Sequence, residues 1–170
     1  MLLNGVNHVA ILTNDARRLH AFYHEVFGAT VEHEVRMPGG TLSLVAIGPA
    51  TELNVFELDD NTEALRQTPM FGRGRIDHLG LQAASTDAFD LIRDRLMARG
   101  ATDGFVTDFG PVLSLFFRDP DGLEAEVCVP NPAAKPGVYN PPGTPAPGYQ
   151  ARAAEPTPTT DDDQETPRVR

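Results

Sequence analysis

The chain has one cysteine, Cys128, so no internal disulfide can form. Bases are scarce: 14 Lys and Arg stand against 24 Asp and Glu, for a formal net charge of −10. Such a surface has no electrostatic basis for binding nucleic-acid phosphates or an anionic membrane face. No apolar run approaches the roughly 18 residues that a membrane span requires. The opening MLLNGVNHVAIL lacks a basic stretch and a cleavage site. It already alternates like a strand, so it reads as part of the fold and not as a signal peptide. These absences lead to the expectation of a cytoplasmic protein.

Core-forming residues are also few in the last forty positions. Ten of the 15 prolines lie between Pro130 and Arg170. A segment of that composition cannot bury enough apolar area to offset its ordering entropy. It is expected to be a Pro-rich tail over 131–170, a polyproline strap as far as Tyr149 and disordered beyond. The folded domain is then 1–130, a length that suits one hydrophobic core.

What is present within 1–130 is a repeat. NHVAIL, from Asn7, is echoed by DHLGLQ, from Asp77. Each is followed by a helical pattern. Leu19, Phe22, Val26 and Phe27 form one apolar stripe, and Phe89, Ile92 and Leu96 form the other. Gly28 and Gly100 close them. Then come ATVEHEV and ATDGFVT, LSLVAIGP and LSLFFRDP, and TELNVFEL and GLEAEVCV. The order is strand, helix and three strands, twice. The expected fold is α+β: two βαβββ modules, about 4–58 and 75–130, joined by a linker over 59–74, in a curved mixed sheet around a cleft.

Strand parity selects the side chains on the cleft. Val9 and Ile11 face the first helix, which puts His8 and Ala10 on the other side. Leu79 and Leu81 do the same for His78 and Gly80. In the last strand Glu126 points with the histidines, and Asn54 holds the matching place in module one. A carboxylate on a largely apolar strand is costly to bury unless it is paired or bound to a cation. Two imidazoles and a carboxylate on one face read as a divalent-metal site of His8, His78 and Glu126. His20 and His24 are spaced by one helical turn but lack the HExxH context, so they read as a solvated face. His33 reads as surface and Cys128 as a small buried hydrophobe. Glu57 has the wrong parity to join Asn54. DPDG, from Asp119, is a turn by composition. MFGRGR neither follows a strand nor opens a helix, which excludes a phosphate loop. Arg73 and Arg75 within it remain candidates for meeting an acidic substrate.

With these residues in place, the chain resembles the vicinal oxygen chelate superfamily, the group of glyoxalase I, extradiol dioxygenases and bleomycin and fosfomycin resistance proteins. The resemblance spans about 4–130 and rests on the paired modules, the early histidine of each and FFRDPDGLEAE. It implies metal positions at His8, Asn54, His78 and Glu126, and a homodimer. Asn54 departs from the glyoxalase pattern, in which that place carries a carboxylate or histidine. An amide cannot serve as general base. The remaining set resembles the dioxygenase triad for Fe(II) or Mn(II). Here Phe116 replaces the usual tyrosine and no histidine lies nearby, so Asp108 is the substitute acid–base candidate, while Glu52 or Glu124 would stand in for Asn54 in a glyoxalase-like reaction. The implied activity is a metal-dependent dioxygenase. The alternatives are a glyoxalase-like lyase or isomerase with Zn(II) or Ni(II), and a non-catalytic small-molecule-binding resistance protein.

Overall fold

The computed structural model describes residues 2–3 and 5–149, and the later part of the tail, 150–170, lies outside it. The elements follow the repeat. Module one contains β1 (His8–Thr13), α1 (Ala16–Phe27), β2 (Thr30–Met37), β3 (Gly40–Gly48) and β4 (Thr51–Leu58). Module two contains β5 (Leu79–Gln82), α2 (Thr86–Ala98), β6 (Val106–Asp108), β7 (Val112–Arg118) and β8 (Glu124–Pro130). Each helix begins where a short polar side chain caps it. Asp15 accepts from the Arg18 amide at 2.9 Å, and Ser85 from the Ala88 amide at 3.1 Å. Gly28 ends α1 at φ 72°, a left-handed conformation that glycine adopts without penalty.

The curvature expected of one sheet is divided between two four-stranded sheets, β1-β4-β3-β2 and β5-β8-β7-β6. In each, the first strand runs parallel to the last and the other pairs are antiparallel. β1 and β5 are therefore edge strands. The second strand of module two is shorter than ATDGFVT suggests. Gly104 turns at φ 76° and the Phe105 amide folds back on Asp103 Oδ1 at 2.9 Å, so pairing starts only at Val106.

The helical sides of both sheets share one core. Leu19, Phe22, Tyr23 and Val26 of α1 pack in it with Leu53 and Val55, and Phe89 and Leu96 of α2 with Leu115 and Val127. Phe22 and Phe27 reach across to Phe117 of β7, with ring centroids 6.3 and 5.3 Å apart. Polar ties join the modules as well. Thr13 Oγ1 donates to Asp121 at 2.7 Å, Arg18 pairs with the same carboxylate, and Arg95 donates to the Val26 carbonyl at 3.1 Å. Both helix-free sheet faces are consequently turned away from the shared seam.

The tail as far as Tyr149 is a strap of successive turns. It runs along the free edge of β6, where Asp108 N donates to Thr144 O at 2.8 Å and Ala146 N to Val106 O at 2.9 Å. It passes Gly110 so closely that a Cβ there would lie 2.2 Å from the Val138 carbonyl oxygen. Tyr149 then lands on α2. Its hydroxyl donates to Asp90 at 2.6 Å and its ring sits edge-on to Phe89.

Candidate metal centre

β5 and β8 pair with Gly80 opposite Glu126, and β1 and β4 pair with Ala10 opposite Asn54. Asn54 thus holds in module one the place that Glu126 holds in module two. In module two the histidine and the carboxylate meet: His78 Nε2 lies 3.3 Å from Glu126 Oε1. The other nitrogen of the ring, Nδ1, lies 2.8 Å from Asp77 Oδ2. The other oxygen of Glu126 accepts from Ser114 Oγ at 2.5 Å. The approach of β5 to β8 at this point depends on a missing side chain. A Cβ on Gly80 would stand 3.2 Å from Glu126 Oε1. Phe116, opposite Glu126 on β7, walls the group with its ring 6.1 Å from His78 and nearly perpendicular.

An imidazole with a carboxylate oxygen at each nitrogen satisfies both only as a cation. Accordingly His78 is held above its ordinary value, first by Asp77 and then by Glu126. Once neutral, with its proton kept by Asp77, it turns a lone pair toward Glu126. Two electron-pair donors then converge on one point, and a cation resolves their repulsion. Imidazole nitrogen and carboxylate oxygen suit a divalent transition ion.

His8 does not join them. It is exposed on the edge strand of the other sheet, with Nδ1 2.8 Å from Asn7 Oδ1. Among the described residues, no three His, Cys, Asp or Glu side chains converge on a metal position within one chain. The triad drawn from strand parity is therefore split, two members in module two and one in module one. The cause is the helix-to-helix packing of the modules, which turns the two faces apart. Beside His8 on that face, Asn54 Oδ1 is buried without a hydrogen-bond partner among the described residues.

The acid–base and substrate candidates are mostly engaged elsewhere. Asp108 accepts from the Gly110 amide at 2.7 Å and from Asn131 Nδ2 at 3.1 Å, so it holds the β6–β7 turn to the start of the strap. Glu124 accepts from Met70 N, Arg73 and Arg118 at 2.7–3.1 Å. The Met70 amide and Arg118 hold it below the usual carboxylate range, and these bonds tie it to the linker and to β7. Arg73 also binds the carbonyls of Asp77 and Glu124, so it braces the linker and is not a free cation. Arg75 is exposed and forms no ion pair among the described residues. Of the substrate candidates, Phe116 alone lies against the His78–Glu126 group.

His20 differs from the solvated reading. Its Nε2 is buried without a partner among the described residues and burial lowers its pKa, with Glu34 and Glu57 nearby. Glu57 faces the helix as parity requires and accepts from the Ala16 amide at 2.8 Å, the first turn of α1. Cys128 is half-buried on the Glu126 face, and burial pushes its thiol up to about 11. Asn7, Asp77 and Ser114 escaped the sequence reading. The first two had a signal, since a side-chain oxygen precedes the histidine in both copies. Ser114 had one too, as the polar residue between Leu113 and Leu115.

Duplicated βαβββ modules, each with one helix against a four-stranded mixed sheet, define the fold class. The chain belongs to the glyoxalase/bleomycin resistance protein/dioxygenase superfamily, whose profile matches residues 5–127. It is 28% identical over 127 residues to an iron-dependent extradiol dioxygenase of Rhodococcus jostii, which covers 72% of this chain. The chain spans only 42% of that relative's length. Among solved structures, it is similar to a glyoxylase/bleomycin resistance protein/dioxygenase domain from Frankia sp., with TM-score 0.63 and 22% identity, over 77% of this chain and 95% of that one. It is also similar to the fosfomycin resistance protein FosX of Listeria monocytogenes in complex with Mn(II) and sulfate, with TM-score 0.56 and 16% identity, over 76% and 95%. Both solved structures support the fold. Among the described residues, no helix is long and apolar enough to cross a membrane.

Proposed function

We propose that the protein is a divalent-metal-dependent enzyme acting on a small oxygenated organic molecule, with a dioxygenase-like reaction as the first reading. The observation that carries this is the convergence of His78 Nε2 and Glu126 Oε1 at 3.3 Å, with the far nitrogen and far oxygen each already engaged. When bound, Fe(II) or Mn(II) supplies Lewis acidity to two neighbouring oxygens of the substrate. His78 and Glu126 are the ligands from one chain. His8 is the third, and it comes from a second copy, because the helix-free faces of one chain are turned apart. The unpaired edges of β1 and β5 are the natural seam for such a homodimer. Ser114 fixes the Glu126 carboxylate, and Phe116 keeps water from one side of the group.

The relative from Rhodococcus jostii supports iron and the dioxygenase reading. The runner-up is a lyase or isomerase on the same ligands with Zn(II) or Ni(II). Asn54 is no base and Glu124 is ion-paired, which places that reaction second. Metal analysis of protein purified without oxygen decides between them. Iron together with oxygen uptake on catechol-like compounds is the expected result. Zinc or nickel with no oxygen uptake would move the protein to the lyase reading. Glu126→Gln removes the one charged ligand and is expected to weaken Mn(II) binding by about 10-fold or more. Unchanged affinity in calorimetric titration would remove Glu126 from the site.

A further inference from the structure

The two histidines share a feature that the metal reading does not use. In each module the residue before the histidine offers a side-chain oxygen to Nδ1, Asn7 Oδ1 to His8 and Asp77 Oδ2 to His78, both at 2.8 Å. An oxygen without a hydrogen can only accept, so each contact calls for a proton on Nδ1; at His78 the Glu126 carboxylate competes from Nε2, but at 3.3 Å against 2.8 Å for Asp77. Imidazole free in water keeps its proton mainly on the other nitrogen, Nε2. Both modules therefore reverse the ordinary preference, and they do so with the same neighbour in the chain.

We infer that Asn7 and Asp77 are positioning residues that set the tautomer of His8 and His78, leaving the free electron pair of each ring on Nε2, toward the helix-free face. The chain geometry makes this local. The side chain of the preceding residue hydrogen-bonds its neighbour directly, so the tautomer is set before any ion or second copy arrives. The two positioning residues are not equivalent. Asp77 adds a negative charge behind the ring, which makes His78 the stronger donor. It also ties the loop, because its Oδ1 accepts from the Phe71 amide. Asn7 is exposed and neutral, and its side chain bonds His8 alone among the described residues.

The inference concerns tautomers in the metal-free protein, and it rests on the metal-site reading only for what the tautomer serves. The first test is long-range proton–nitrogen NMR of 15N-labelled metal-free protein, at a pH where both imidazoles are neutral. The expected result is a protonated Nδ1 on both His8 and His78. Asn7→Ala should return His8 to the Nε2-protonated form and leave His78 unchanged. Asp77→Ala should do the converse. Asp77→Asn should keep the Nδ1 proton, since an amide oxygen already does this for His8. A wild-type His78 protonated on Nε2, or an alanine variant that keeps the Nδ1 proton, overturns the inference. The second test is titration with Mn(II) alone. Asp77→Ala is expected to weaken binding by about 10- to 100-fold, and Asp77→Asn by less. Equal affinity in wild type and Asp77→Ala would overturn the positioning role. Failure of the wild type to bind Mn(II) would instead sink the metal reading, while the NMR result still decides the tautomers.

Discussion

Asp119 is a carboxyl group held almost out of water, 8% exposed, at the turn that joins β7 to β8. Burial raises its pKa from 3.8 to about 6, against the pull of the Leu123 and Asp121 amides. The folded chain thus binds this proton more tightly than the unfolded chain does. The group's contribution to stability is complete below its unfolded value, 3.8, and is lost as pH rises to about 6. Linkage sets that loss at about 3 kcal/mol, an order-of-magnitude figure. Asp121, Arg18 and the buried Tyr23 are the polar groups around it. Asp119→Asn keeps an acceptor oxygen and removes the charge. Urea unfolding should show the variant gaining on wild type between about pH 4 and pH 6. Parallel stability curves would refute the assignment. At Gly80 the expectation concerns the site. A valine there meets Glu126 Oε1, where even a Cβ would approach to 3.2 Å. Gly80→Val should weaken Mn(II) binding by about 10-fold with little change in melting temperature, read by titration and calorimetry. Such residues show what the sequence makes legible. His78, Glu126 and Glu57 point as a period of two demands, because parity is local. The loss of Asp108 and Glu124 to structural bonds was not legible. Their partners, Asn131, Met70 and Arg73, come from distant segments brought close only by the fold.

The strap is the element whose role is clearest in the structure and half visible in the sequence. Proline content marks where the sheet ends, but not that Ala146 is buried or that Tyr149 anchors on α2. Its bond to Val106 and the bridge from Thr107 to Pro145 cover the outer edge of β6. Uncovered, that edge is a template for unwanted strand pairing. Tyr149→Phe loses one partly exposed hydrogen bond and should cost about 1 kcal/mol in urea unfolding. Tyr149→Ala also loses the contact with Phe89 and the Arg93 guanidinium 5.7 Å from its ring centroid, and should cost roughly 2 kcal/mol. Equal stability of the two variants would show that the ring contributes nothing. The helices were legible because apolar spacing and capping residues agree at both ends. β6 was not, because the Asp103–Gly104 turn consumes residues that a strand pattern counts as paired.

At the scale of the molecule, the repeat was legible and the relation between its halves was not. Self-similarity announces two modules, but periodicity does not say which faces meet. The structure answers with the aromatic contact of Phe22, Phe27 and Phe117 on the helical side. The proposed completion of the site by a second copy makes a specific prediction. His8→Ala and Glu126→Gln subunits, each defective alone, should recover Mn(II) binding when mixed after unfolding and refolding. Random pairing restores about a quarter of the sites. No recovery in a mixture that sedimentation shows to be dimeric would refute the shared site. A further consequence follows from the two sheet faces that their own chain leaves open. In the proposed dimer, ion capture becomes sensitive to how crowded the protein is. Dilution should loosen the hold on the ion, chelators should drive copies apart, and added Mn(II) should bring them back together, all through one thermodynamic cycle.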